Sequence, residues 1–566
     1  MTAFAAAAGA VAGSWVVVPL PWLWLLVSAA AATRRHLVVA TLLAMIALSS
    51  IMATRAEAGM SPINSGDFDG WVTLVDDPTP STNSGIRFTI RLDGHRVAAS
   101  AHGAIAYGLN DRLAGERIWL RGRLSPVASN DSWSRWRHVV GRLAISEVVA
   151  AGPAAPASRF VNSVRRTLSE GSSGLPSGDR ALFLGIVIGD DRGQFPATAD
   201  DFRAAGLGHL LVVSGQNVAF VLAIVGPMVA RLRPGSRLVI LILLLMVFLL
   251  LTRFEPSVLR AVVMAGVSVG ATALDLDVDG RKALSWAVAA LLVIDPFLVH
   301  VIGFQLSVAA TAGLVWLSGP IASRLRGPMW FRVALSTTMS AQLAVSPVLI
   351  ATFGPMPLAS LPANVLAEPV AGPVMMWGST GGLVAGVAGG WVAALMHVPT
   401  RAMIWWISGV ASVSAGIPAL MVTGLEVAAL AAGVAALLAT RSSMKSLGIV
   451  TIAVVVMAAS ASAPTIGSGR SDVGDGAVVW HSGTATMVVL DRPRDPRRML
   501  ESLRLSGVRS IDTVVALRGN RTYSDAVRAI RDRFGPFRCR RWRGRVALRI
   551  RDHGGARSAS RSPENA

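Results

Sequence analysis

Apolar residues arrive in this chain in blocks of about twenty, the length that lets an α-helix cross ~30 Å of hydrocarbon. The blocks lie near Trp15–Ala31, Leu37–Ala53, Leu210–Ala230, Leu238–Leu251, Ser257–Leu274, Ala283–His300, Val301–Ser318, Val333–Phe353, Pro357–Trp377, Gly378–Met396, Met403–Met421, Leu425–Ala439 and Leu447–Ala461. A helix bonds its own backbone, so such blocks sit in lipid without orphaned N–H or C=O groups. Only 15% of the 566 residues are charged, against about a quarter in soluble proteins. The expected fold class is a polytopic α-helical membrane protein with about 11–13 hydrophobic segments.

Arginine carries almost all of the net charge of +20, since Lys282 and Lys445 are the only lysines. It gathers in the loops and from Arg492 to Arg561. Two readings remain open: topology control with a solvated tail, or contact with a polyanion whose counterions are released on binding. Cys539 is the single cysteine, which excludes an intramolecular disulfide and a thiolate metal cage. The first apolar stretch lacks the flanks of a cleaved signal and reads as a retained anchor.

The expected organisation is a two-helix anchor (1–54), a soluble β-domain (55–157), amphipathic interfacial helices (158–205), a transmembrane domain (206–463), a short α/β domain (471–552) and a disordered tail (553–566). Arg34, Arg35 and His36 form a basic turn, which the positive-inside rule places in the cytoplasm and which leaves the β-domain extracytoplasmic. Five short strand-like runs with Asp77-Pro78 and Asp93-Gly94 between them point to a small barrel such as an OB-fold. Arg231, Arg281, Lys282, Arg324 and Arg326 all fall on the inner side under strict alternation, but Arg441 to Lys445 does not. One segment between Val333 and Ala439 is therefore expected not to cross, and Pro357–Trp377, with Pro362, Pro369 and Pro373, is the candidate for a re-entrant segment.

The run Phe202-Arg-Ala-Ala-Gly-Leu-Gly-His-Leu-Leu-Val-Val-Ser-Gly-Gln-Asn-Val218 brings His209, Ser214, Gln216 and Asn217 into a membrane segment. Polar groups are costly there and need partners. They form either an interhelical hydrogen-bond cluster or a pore lining. No acid accompanies His209 in the run, so a nucleophile triad is not expected. Arg260 stands in or at the edge of a helix, facing a wet interior or snorkelling to the interface. Gln305, Ser307 and Asn364 also need partners, whether in a structural network or along a path. Gly382, Gly386 and Gly390 repeat at four-residue spacing, as closely packed helices do.

These motifs, in this order, resemble the ComEC family, the membrane channels of natural transformation. Leu184-Gly185 through Gly189-Asp190-Asp191-Arg192, the His209 run, Glu255-Pro-Ser-Val-Leu-Arg-Ala261, Gly303-Phe-Gln-Leu-Ser307 with Pro296, and Phe353-Gly354 with Ala363-Asn364 and Pro369 each look like a family element. The resemblance covers about Arg180 to Gly372. It implies a channel that imports single-stranded DNA across the bacterial cytoplasmic (inner) membrane. His209, Ser214, Gln216, Asn217, Arg260, Gln305, Ser307 and Asn364 would line its path. It also implies a β-domain that touches DNA, and OB-folds bind single strands by aromatic stacking beside a basic groove. Arg121, Arg123, Trp133, Arg135, Trp136 and Arg137 supply both ingredients. Implied partners are an extracytoplasmic DNA receptor, a cytoplasmic helicase or translocase, membrane lipid and a second copy of the chain. No nucleotide loop of the Gly-x4-Gly-Lys-Ser/Thr kind is present.

Many family members end in a metallo-β-lactamase-like domain, whose entry motif is partly matched by Asp472-Val-Gly-Asp-Gly476. The place of its His-rich metal cluster reads Val515-Ala-Leu-Arg-Gly-Asn-Arg-Thr-Tyr-Ser-Asp525, without histidine. The expectation is a truncated, degenerate domain with no metal, no cofactor and no catalytic residue. Two rival readings are a secondary transporter for a small anion or lipid, and a non-transporting family member that acts as an envelope scaffold.

Overall fold

The computed structural model describes residues 1–15, 21–33, 36–61, 63–81, 85–128, 131–353, 356–357, 359–416, 421–422, 469–482, 485–493, 495–508, 510–519 and 521–541. The expected segments Leu425–Ala439 and Leu447–Ala461 and the 553–566 tail lie outside them. The chain divides into two compact units, Met1–Ser462 and Ala463–Ala566.

The first unit opens with three helices, α1 (Thr2–Trp15), α2 (Pro21–Thr33) and α3 (Leu37–Ala58). Two helices thus stand before Leu37 where the sequence reading placed one segment. In α1 the small residues make the contact. A Cβ at Gly9 would stand 2.5 Å from the Leu42 carbonyl oxygen, and one at Gly13 2.3 Å from that of Ile46, so α1 lies against the α3 backbone.

The soluble domain follows as β1 (Gly66–Leu74), β2 (Thr79–Ser81), β3 (Gly85–Leu92), β4 (His95–His102), α4 (Ala104–Leu109), β5 (Arg117–Pro126), α5 (Ser132–Trp136) and β6 (Val139–Gly152). The sheet order is β1-β5-β6-β4-β3-β2, and β1 also pairs with β3. All pairings are antiparallel except β4 with β6. Asp93 and Gly94 both have positive φ, 47° and 85°, as the two-residue β3–β4 hairpin requires. Alternating residues (Val72, Leu74, Ile90, Ile118, Leu120, Leu143) meet inside.

Next come α6 (Pro156–Gly171), α7 (Ser177–Ile188) and α8 (Pro196–Ala204). Every residue of α7 from Ala181 to Ile188 is buried, so this helix is enclosed by its neighbours rather than lying on a lipid surface. The bundle continues with α9 (Gln216–Val229), α10 (Pro234–Leu251), α11 (Pro256–Ala273), α12 (Gly280–Ile294), α13 (Ile302–Ala322), α14 (Met329–Phe353), β7 (Met356–Pro357), α15 (Ser360–Ala388), α16 (Gly390–Gly416) and β8 (Met421–Val422), which pairs with β7. By length and composition α3, α10, α13, α14 and α15 can cross a membrane, and α9 and α11 are shorter apolar helices. Large apolar side chains such as Leu243, Val333 and Val387 stand exposed on these helices, the surface that lipid covers. The chain is a multi-pass membrane protein.

The proline-rich segment expected to be re-entrant is helical. Pro369 and Pro373 lie inside α15, which runs for 29 residues. Three segments read from the sequence between Pro357 and Met421 are two helices here, parted at Gly389 and Gly390 with φ of 63° and 51°. Of the four-residue glycine repeat, Gly382 and Gly386 pack closely, whereas Gly390 has open space about it.

The second unit consists of β9 (Gly469–Gly474), β10 (Ala477–Ser482), β11 (Ala485–Leu490), α17 (Pro496–Leu505), β12 (Thr513–Ala516), α18 (Arg521–Phe534) and β13 (Arg538–Arg541). Its sheet order is β13-β12-β11-β10-β9. The pairs β9–β10 and β10–β11 are antiparallel, and β11–β12 and β12–β13 are parallel. The parallel steps are bridged by α17 and α18, as crossovers demand. Val479, Val488, Leu490, Leu500, Val514 and Ile530 form its core.

Candidate functional site

Arg260 lies in the second turn of α11 and is only 7% exposed. Its Nε donates to Ser307 Oγ of α13 at 2.8 Å, and its Nη1 to the Met264 sulfur at 3.6 Å. No carboxylate pairs with it among the described residues. A Cβ at Gly215 would stand 2.6 Å from Arg260 Nη2 and 3.1 Å from the Ser257 carbonyl oxygen. Glycine is what lets the Val213–Gln216 turn sit on the guanidinium. Ser257 Oγ donates to the Val213 carbonyl at 3.1 Å and fastens the same turn to α11.

The start of α9 lies against this guanidinium, which joins the second turn of α11 to the second turn of α13. None of α9, α11 and α13 has a side-chain cap on its first N–H groups, so each presents the positive end of its dipole. Asn217, in the first turn of α9, donates Nδ2 to the Ile186 carbonyl at 3.3 Å and accepts from Ser214 Oγ at 3.3 Å. The structure thus brings Ser214, Asn217, Arg260 and Ser307 into one place. Gln216 is exposed beside them.

The remaining expected path residues are placed differently. Gln305 spends its amide on the Val299 carbonyl at 2.7 Å, and Asn364 spends its own on Ser360 at 2.8 Å. Both lock local turns. His209 lies in a 3-10 turn, Gly208–Leu211, with the Gly206 backbone as its hydrogen-bond partner and the Glu368 charge acting on it. The run itself holds no acid beside His209, and the nearby charge comes from another part of the chain. The sequence offered only a glutamate in a proline-rich segment far along the chain, and α15 carries it back.

A second cluster joins the β-domain to the helices. Asp77 accepts from Arg165 at 2.8 Å, from Arg253 at 2.9 Å and from the Ala114 N–H at 2.8 Å. Arg165 also donates to the carbonyls of Ile188 and Leu251, both at 2.8 Å. Burial pushes the Asp77 carboxyl up, but Arg165 and Arg253 outweigh it and hold the group below its usual range. Burial lowers the Arg165 guanidinium despite the opposing pull of Asp77. Sequence reasoning passed over this cluster. The available signal was Arg165 sharing a helix face with Val161 and Leu168, both buried, because a charge on an apolar stripe implies a buried partner.

The expected DNA-contact residues of the β-domain fall into two groups. Arg121 and Arg123 project outward from β5, and Arg121 is held by Asp69 at 2.9 Å and Glu147 at 3.0 Å. Trp133, Arg135, Trp136 and Arg137 lie on or beside α5. Arg137 covers the Trp133 ring, Arg135 pairs with Glu57 at 2.6 Å, and Trp136 stacks on His300 at 5.3 Å. Trp136 and Arg135 therefore pin the domain to the helices. The aromatic pair beside the β5 arginines is instead Trp71 with Trp119, 5.5 Å apart, with Arg117 over Trp71. Their cross-strand alignment is set by register, which a strand pattern alone does not reveal.

Residues 186–445 match the family described as Competence protein. This stretch holds the Arg260 site and overlaps most of the motifs on which the resemblance was read. A curated relative, ComE operon protein 3 of Bacillus subtilis (strain 168), is 28% identical over 209 residues, 36% of this chain and 26% of that one. The match thus spans about a quarter of the relative's length. No solved structure matches the chain.

Proposed function

We propose that this chain, whose residues 186–445 match the Competence protein family, forms a channel that carries single-stranded DNA across the bacterial cytoplasmic membrane during transformation. The observation that carries the reading is Arg260, a guanidinium 7% exposed and without a carboxylate partner among the described residues, lying against the uncapped start of α9 and bonded to Ser307 in α13. A buried charge is expensive unless something of opposite sign visits it. Positive helix ends favour anions, and phosphate above all. Ser307, Ser214, Gln216, Asn217 and His209 would complete the path; Gln305 and Asn364 shape its turns.

The β-domain is read as a small OB-like barrel on the outer side. The return of β3 to β1 and the single parallel step between β4 and β6 support that reading. Arg123 with Trp71 and Trp119 would then offer the incoming strand a basic, stacking surface. The second unit is read as a degenerate metallo-β-lactamase-like domain without nuclease activity. A DNA receptor outside and a helicase or translocase inside would deliver and pull the strand.

The test is uptake of fluorescent DNA into the cytoplasm of the host. Deleting the gene should abolish it, and Arg260→Gln should lower it at least about tenfold at an unchanged membrane level, with His209→Ala lowering it less. One decade is about 1.4 kcal/mol, within the worth of a single charge-assisted contact. Full uptake in the deletion strain would turn the reading towards a small-anion or lipid transporter or an envelope scaffold.

A further inference from the structure

Below the β-domain, away from Arg260, lies a cavity of about 650 Å³. Asn110, Asp111 and Leu113 form its upper wall, α6 contributes Arg165 and Arg166, and the first turns of α7 contribute Ser177 and Arg180. Arg192 closes one side. Its volume falls in the range of small-ligand sites, roughly 300–1,000 Å³.

The four arginines are not equivalent. Arg165 is spent on Asp77 and Asp190, Arg192 on Asp190, and Arg166 on Glu116. Arg180 has no carboxylate partner among the described residues. Its Nη2 donates to the carbonyl and hydroxyl oxygens of Ser169, both at 2.9 Å, and its Nε is buried with no partner. Beside it the N-terminus of α7 is also unsatisfied, because Pro176 stands at the cap position and offers no side-chain acceptor. A cavity-lining guanidinium that no carboxylate neutralises, a bare helix start and the exposed Ser177 hydroxyl together match a phosphate group, which takes several donors at once.

We propose that this cavity is a phosphodiester-binding site, in which Arg180 and the α7 N-terminus hold the backbone of the incoming strand between the β-domain and the Arg260 site. The proposal rests on the DNA-import reading. It also gives the Leu184–Arg192 motif a role, for Arg192 neutralises Asp190 and so keeps a carboxylate from competing for Arg180.

The test uses the full chain in nanodiscs of zwitterionic lipid and the anisotropy of a fluorescein-labelled single-stranded oligonucleotide across a salt series. Arg180→Gln should weaken binding about tenfold and lower the slope of log K against log salt by about 0.7, the loss of one phosphate contact on a single strand. Arg180→Lys should keep the slope. Ser177→Asp favours the fold, because an acid suits a helix start, yet it fills the anion position; it should mimic Arg180→Gln and covers the case in which that variant misfolds. Wild-type protein that binds no oligonucleotide would remove the import reading and this site with it. Wild-type binding with unchanged affinity and slope in Arg180→Gln and Ser177→Asp would overturn the site alone. Were phosphatidylglycerol in the nanodisc to erase the difference between wild type and Arg180→Gln, the occupant would be a lipid headgroup, and the proposal would fail.

Discussion

Asp77 sits where one proton decides whether two arginines keep their partner. Its carboxyl is held below the ordinary value by Arg165 and Arg253 against the push of burial, and Asp190 is lowered in the same way by Arg192 and Arg165. A depressed carboxylate stabilises the fold above its unfolded value of about 3.9, and that stability is lost as pH falls through the native value. The thermal midpoint in detergent should therefore be level from neutral pH down to about 4 and drop below it. Asp77→Asn should cost about 3–5 kcal/mol at neutral pH, since it leaves two buried guanidiniums facing an amide, and should flatten the acid limb. A midpoint unmoved by Asp77→Asn would mean that the joint stands without this network. Arg260 was legible in the sequence because a charge inside an apolar block announces itself. Asp77 was not: it stood in a turn rich in polar residues, and its partners lie 88 and 176 positions away.

Elements were legible in proportion to the strength of their periodicity. The β3–β4 hairpin followed from Asp93-Gly94, and α10, α13 and α14 from their length. The length rule misled where two features blurred it. Alanine and glycine in α1 are weakly apolar, and that helix is held by close approach to α3 rather than by large side chains. In α15, two prolines read as breakers lie within a helix, as membrane helices tolerate when neighbours meet the freed carbonyls. The true break at Gly389-Gly390 needs positive φ twice. Close packing predicts how α15 responds to added bulk. A Cβ at Gly386 would come 2.1 Å from the Thr167 carbonyl oxygen, whereas one at Gly409 in α16 meets nothing within 4 Å. Gly386→Ala should lower the thermal midpoint, with a cost of about 1–3 kcal/mol from overpacking, and Gly409→Ala should raise stability by about 0.5–1 kcal/mol. Equal effects of the two would show that α15 does not rest on α6 as described.

At the scale of the whole molecule, the first unit couples the β-domain to a helical bundle through ionic and aromatic contacts that the chain separates widely, and the second unit has a core of its own. That core bears on whether the chain cuts DNA. Asp472-Val-Gly-Asp-Gly476 builds the β9–β10 turn: Gly474, Asp475 and Gly476 all have positive φ, at 85°, 48° and 78°. Asp475 accepts from Ser502 at 3.0 Å, and Asp472 from the Gly474 N–H at 3.0 Å. Both carboxylates are thus engaged in shaping the turn. After β12, where a metal cluster would need converging imidazoles, the chain enters α18, and Tyr523 donates its hydroxyl to the Asp491 carbonyl. Structural metal sites contribute folding energy, and chelators unfold them. The full chain should therefore melt identically with and without EDTA and should leave single- and double-stranded DNA intact in Mn²⁺ or Zn²⁺. Cleavage that EDTA stops, and that survives repurification, would overturn the degenerate reading. The strand not imported would then be degraded by this chain itself rather than by a partner.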